Sequence, residues 1–195
     1  MSIIFTHLPI YDQFFIFFFK IKNGGCFQKR FNLYFRFLFL KIYSIMETLG
    51  HLDKKITFVK ELFNSCVTPE DRYKKILELA SSLPEYDPAK KLSCNLVEGC
   101  QSLMYVHIFF QNGCLHFTAF SEALISKGLA ALLYLVYNGQ PAEVVLKYPP
   151  LFLKDLQILP SLSPSRANGV ASLFSKLQKA SLKFLSTQNL SSSID

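Results

Sequence analysis

The residues best suited to do chemistry are Gly99-Cys100-Gln101-Ser102, inside the run NLVEGCQSLMY at 95–105. Apolar residues on either side and a glycine beside the cysteine predict a turn that presents one sulfur, because glycine lets the backbone bend tightly. The nearest cysteines, Cys94 and Cys114, are six and fourteen residues away, which is neither metal-ligand nor redox-pair spacing. A cysteine so placed suits a nucleophile or a carrier of sulfur better than a zinc ligand. The reactive form is the thiolate, and a free cysteine with a pKa of about 8.5 is only a few per cent thiolate at neutral pH. Backbone N–H groups of the turn, the Ser102 hydroxyl or a nearby arginine are the groups able to stabilise it.

The elements that must hold this turn can be read around it. Residues 53–63 predict a helix with Ile56, Val59, Leu62 and Phe63 on one face. Thr68-Pro69-Glu70-Asp71 is a helix start: a Thr N-cap, proline at the first position and acids in the first turn. That helix runs to about Ser82, burying Tyr73, Ile76, Leu77 and Ala80. Three short strands are expected next, over 92–98, 103–110 and 114–120, the last two joined by a hairpin turn at Gln111-Asn112-Gly113. Ser121-Glu122 is expected to cap an apolar core helix over 123–137, stopped by Asn138-Gly139. Short helical pieces follow at 141–147 and 151–156. A last helix begins with Ser163 as N-cap and Pro164 at its first position, and carries Val170, Leu173, Phe174, Leu177 and Leu185 on its apolar stripe. Helices, a meander of strands and helices again predict an α+β fold with a small antiparallel three-stranded sheet packed against helices.

The chain has 195 residues and a formal net charge of +7. That charge is uneven: residues 1–45 hold six basic side chains (Lys20, Lys22, Lys29, Arg30, Arg36, Lys41) against Asp12, leaving +2 for the rest. Beyond that segment there is no electrostatic footprint of a nucleic-acid binder. The same 45 residues hold 14 of the chain's 29 aromatics. Their charges interrupt every apolar run that could span a membrane, and they lack the basic start and small-residue cleavage site of a secretory signal. Their Phe, Lys, Ile, Asn and Tyr are residues of AT-rich codons. Residues 1–45 therefore read as a mis-assigned upstream extension, with translation starting at Met46, the alternative being an atypical targeting leader or membrane-surface anchor; 46–187 read as the domain and 188–195 as a frayed tail. Five irregularly spaced cysteines (26, 66, 94, 100 and 114) without a secretory signal indicate free thiols in a reducing, cytoplasmic setting. His107 and His116 fall on neighbouring strands, but no acid or cysteine completes a metal-ligand set by spacing.

Residues 53–185 resemble SufE, the sulfur-acceptor family of iron–sulfur cluster assembly. The likeness is ordered along the chain: Arg72-Tyr73, Leu83-Pro84, Val97 to Ser102, Ser121-Glu122-Ala123 before Lys127-Gly128-Leu129, and Leu162-Ser163-Pro164-Ser165-Arg166-Ala167-Asn168-Gly169. The resemblance implies a SufE/IscU-like fold and a non-enzymatic acceptor that takes a persulfide sulfur on Cys100. Its donor would be a pyridoxal-phosphate cysteine desulfurase of SufS type, which it stimulates, and its receiver an iron–sulfur scaffold complex. No cofactor or metal is expected on the chain itself, the pyridoxal phosphate belonging to the desulfurase, and no nucleic acid or membrane among its partners. By position Arg166 supports the sulfur, with Gln101, Ser102 and Glu122 as further site residues. Cys100 is expected to be partly sheltered in the free protein and to swing out on docking. Three positions depart from the family pattern: Tyr105 stands where Trp is usual, and in Phe120-Ser121-Glu122, where Asp-Ser-Asp is usual, both Phe120 and Glu122 differ. Two other classes remain open. A cluster scaffold of the related U-type fold needs several convergent cysteines, and a stand-alone thiol enzyme needs a base or resolving group beside the thiol.

Overall fold

The computed structural model describes residues 49–191, except 159 and 161, together with 38, 42, 46 and 47. The chain divides into two compact units, Met1–Ser44 and Ile45–Asp195. The reading of 1–45 as an extension falls, Leu38 and Ile42 aside, outside the described residues, as does the end of the tail beyond 191.

A helix occupies 49–62 (α1). It buries Leu52 and Val59, with Ile56 packed against the same core, and Phe63 just after it is buried too. Helix α2 spans Pro69–Leu79 and opens on a complete capping box. The Thr68 hydroxyl accepts from the Asp71 N–H at 3.1 Å, and the Asp71 carboxylate accepts from the Thr68 N–H at 2.9 Å. Pro69 at the first position has no N–H, so the box satisfies two of the three orphan donors of this helix start. A 3₁₀ turn at Ala80–Ser82 carries the chain to the buried Leu83.

The sheet is antiparallel, with three strands in the order β1-β2-β3: Met104–Gln111, Cys114–Ser121 and Gln140–Pro141. The hairpin turns on Asn112 (φ 51°) and Gly113 (φ 78°), the paired positive φ values that Asn-Gly accommodates. Alternation sends Met104 and Val106 of β1, and Leu115, Phe117 and Ala119 of β2, into the core. Helix α3 (Leu124–Tyr137) covers that face and is itself almost wholly buried. After α3 the chain turns on Gly139 (φ 76°), whose N–H donates to the Leu115 carbonyl at 2.7 Å. Short helices α4 (Ala142–Lys147) and α5 (Phe152–Asp155) lead to the 28-residue α6 (Pro164–Ser191). The Tyr137 ring lies 5.0 Å from that of Phe174 on α6, and its hydroxyl donates to the Tyr148 carbonyl at 2.8 Å.

The α+β fold and the three-stranded sheet stand as expected, but one strand is elsewhere. Residues 92–98 form no strand. Ser93–Asn95 is a 3₁₀ turn, and only Leu96 bridges Tyr105, with the Val97 N–H donating to the Met104 carbonyl at 2.8 Å. Short polar residues there bond locally instead: the Asn95 side chain donates to the Lys90 carbonyl at 2.8 Å. The third strand is the two-residue β3, paired with Cys114 and Leu115 of β2. Two boundaries also differ. Ser121 ends β2, and Ala123 is the N-cap of α3, without a side-chain cap bond. Helix α6 runs to Ser191.

Candidate functional site

The cysteine turn lies between the Leu96–Tyr105 bridge and β1. Gly99 takes φ +77°, a left-handed conformation that favours glycine, and a Cβ there would stand 3.1 Å from Ser172 Oγ of α6. The next residue packs on the same helix. A Cβ at Gly169 would lie 2.8 Å from the Cys100 sulfur, so the glycine is the notch in which the sulfur rests. Around this contact α6 meets the loop at every turn. Ser165 donates to Gln101 Oε1 at 2.7 Å, and the Lys176 ammonium donates to the Cys94 and Leu96 carbonyls, both at 2.7 Å. Positions 165, 169, 172 and 176 are spaced four, three and four apart, one stripe of a helix. They meet Gln101, Cys100, Gly99 and then Leu96 and Cys94, so loop and helix run antiparallel.

Cys100 is half-buried. The hydrogen-bond partner of its sulfur is the Ser102 hydroxyl at 3.6 Å. Ser102 Oγ in turn lies 2.7 Å from Ser126 Oγ in the first turn of α3, and 3.4 Å from Ser121 Oγ at the end of β2. Ser121 donates to the Leu103 carbonyl at 2.9 Å. The first turns of α3 and α6 thus both touch the loop, and the N-terminal ends of helices favour negative charge nearby.

Cys100, Gln101 and Ser102 are brought together by this turn. Arg166 lies one helical turn before Gly169, on the same face of α6 by its spacing. The residue is half-buried, and its guanidinium has no hydrogen-bond or ion-pair partner among the described residues. The bonded neighbour of the sulfur is therefore Ser102 rather than Arg166. Glu122 is exposed at the start of α3, beside Ser121 and outside the hydroxyl chain. Ser121 and Ser126 escaped the sequence reading as site residues. The available signal was one serine breaking the apolar run of α3 near its start. Two of the three departures from the family pattern form one feature, because Tyr105 and Phe120 are direct cross-strand partners; the third, Glu122, lies beyond the end of β2. The Lys91 ammonium sits 3.5 Å over the Phe120 ring, a cation–π contact.

Among the described residues Cys66, Cys94, Cys100 and Cys114 are all free thiols, and no three His, Cys, Asp or Glu side chains converge as a metal site. No described helix is long and apolar enough to cross a membrane.

Fold and site together define a class: a small α+β domain presenting one thiol on a loop laid along a helix. The family model described as "SufE: Fe-S metabolism associated domain" matches residues 57–181. The chain belongs to the SufE family. It is 33% identical over 141 residues to SufE-like protein 1, chloroplastic/mitochondrial, of Arabidopsis thaliana, covering 72% of this chain and 38% of that protein. It is 31% identical over 130 residues to the cysteine desulfuration protein SufE of Wigglesworthia glossinidia brevipalpis, covering 65% of this chain and 89% of that protein. A solution structure of a hypothetical protein from Thermus thermophilus is similar with a TM-score of 0.57 and 28% identity, over 68% of this chain and 96% of that one.

Proposed function

We propose that this protein is a sulfur carrier whose Cys100 accepts a persulfide sulfur from a pyridoxal-phosphate cysteine desulfurase and hands it on for iron–sulfur cluster assembly. The Cys100 thiolate attacks the outer sulfur of the desulfurase persulfide. A new S–S bond forms at Cys100, the donor S–S bond breaks, and the desulfurase cysteine leaves as a thiolate. The transferred sulfur arrives already at the persulfide oxidation level, so no oxidant is required. A second exchange of the same kind delivers it to the receiver.

The observation that carries this reading is the position of Cys100. The residue is half-buried on a glycine turn, with its sulfur bonded to one hydroxyl and seated against a helix. Partial shelter suits a cargo that bulk thiols would otherwise reduce. The name of the Wigglesworthia relative, a cysteine desulfuration protein, gives the partner class.

The test incubates the protein with a cysteine desulfurase and L-cysteine and reads its mass. One added sulfur, about 32 Da, is expected on Cys100, together with a faster desulfurase. Cys100→Ala abolishes both. Sulfur landing on Cys94 instead, or an unchanged desulfurase rate with the native chain, overturns the reading. If the loop swings out on docking, hydrogen exchange over 97–103 speeds up when the desulfurase is added.

A further inference from the structure

We propose that Ser126 is a positioning residue for Cys100, acting through Ser102. The inference rests on the sulfur-carrier reading for its purpose, though not for its geometry. Ser126 is only 5% exposed and sits in a helix that is otherwise apolar where it meets the core. A buried hydroxyl is costly unless it is hydrogen-bonded. The bond given to Ser126 is the 2.7 Å contact with Ser102, which itself touches the sulfur.

The proton count assigns the role. Ser121 gives its single O–H to the Leu103 carbonyl at 2.9 Å, a group that only accepts. Ser102 has one proton and three neighbours able to take it: Ser126 at 2.7 Å, the sulfur at 3.6 Å and, at a longer 3.4 Å between two hydroxyls, Ser121. With Cys100 as the thiol, S–H donates to Ser102 and Ser102 donates to Ser126. With Cys100 as the thiolate, its proton having gone to solvent, Ser126 donates to Ser102 and Ser102 donates to the sulfur. The chain of hydroxyls reverses without moving a heavy atom. A side chain at 126 that both donates and accepts keeps Ser102 bonded to its nearest partner in both states. Ser126 is therefore what turns the Ser102 hydroxyl toward an anionic sulfur, whether thiolate or persulfide.

The experiment compares Ser126→Thr with Ser126→Val in the full chain, two side chains of nearly equal shape that differ in the hydroxyl. Each is treated with iodoacetamide at pH 7, and alkylation is followed peptide by peptide. A hydrogen-bond donor raises the share of thiolate more than it blunts the thiolate's reactivity. Cys100 should react about three- to tenfold more slowly in the Val variant than in the Thr variant, the effect of one hydrogen bond. The exposed Cys94 should react equally in both. Equal Cys100 rates in the two variants overturn the proposal, as does a parallel slowing of Cys94, which would mark a general change of fold. In a Ser102→Ala background the difference should vanish, and its persistence overturns the route through Ser102. Because no desulfurase is present, a Thr–Val difference in a chain that accepts no sulfur would sink the carrier reading and leave this one standing.

Discussion

The contact between Cys100 and Gly169 makes a side chain at 169 a direct probe of the thiol. A methyl there would stand 2.8 Å from the sulfur, and the loop rather than the helix must give way. Overpacking of this kind costs about 1–3 kcal/mol, offset in part by the better helix propensity of alanine, roughly 1 kcal/mol. Gly169→Ala is expected to lower the melting temperature modestly, by the few degrees that a net loss of about 0–2 kcal/mol produces, and to speed alkylation of Cys100, since the sulfur is lifted off its notch. Slower alkylation would mean that the helix, not the loop, had moved. Cys100 and Ser102 were legible in the sequence because they share one short turn. Ser126 was not, since its meaning depends on which face of α3 meets the loop 24 residues earlier. Arg166 was legible as a motif residue, yet its spacing along the chain says nothing of its distance from the sulfur.

Among the elements, α2 and α3 approach each other more closely than any alanine would permit. A Cβ at Gly128 would fall 1.9 Å from the Ile76 carbonyl oxygen, and backbone cannot swing aside as a side chain can. Gly128→Ala should therefore cost about 3 kcal/mol or more and lower the urea midpoint clearly. An unchanged midpoint would show that the helices can separate freely. The capping box of α2 gives a pH-dependent prediction. The N–H and hydroxyl of Thr68 hold the Asp71 carboxyl below its ordinary value of 3.8. A depressed folded-state value stabilises the protein above the unfolded value and is lost as pH falls through the folded one. Asp71→Asn should thus be less stable than the native chain near neutral pH, and the two should converge as pH drops below 3.8. A gap that stays constant down to pH 2 would rule out the carboxylate as its source. This helix start was readable because the box is local, as was the Asn112-Gly113 hairpin. The third strand was not. It is two residues long, includes Pro141, and exists only because Gly139 folds the chain back onto β2.

At the scale of the whole molecule, α6 acts as the straight edge along which the cysteine loop is laid. It holds Gln101 through Ser165, the sulfur against Gly169, Gly99 near Ser172, and the Cys94 and Leu96 carbonyls through Lys176. Further along, Phe184 stacks on Phe110 of β1, with ring centroids 4.2 Å apart. Lys176→Met, which keeps most of the aliphatic length and loses the two donors, is expected to raise hydrogen exchange over 96–103 while leaving α3 protected. Equal exchange in the two proteins would show that the loop needs no brace. The four contacts share one helical phase, so they fail in different ways under different kinds of genetic change. A substitution removes one of them. A single inserted codon between Gly169 and Ser172 rotates everything beyond it by about 100° and advances it by about 1.5 Å, taking Ser172, Lys176 and Phe184 out of register at one stroke. The same codon inserted at the Asn112-Gly113 turn merely lengthens a hairpin tip. Length variation in this chain should accordingly be tolerated at the hairpin and purged from the first half of α6.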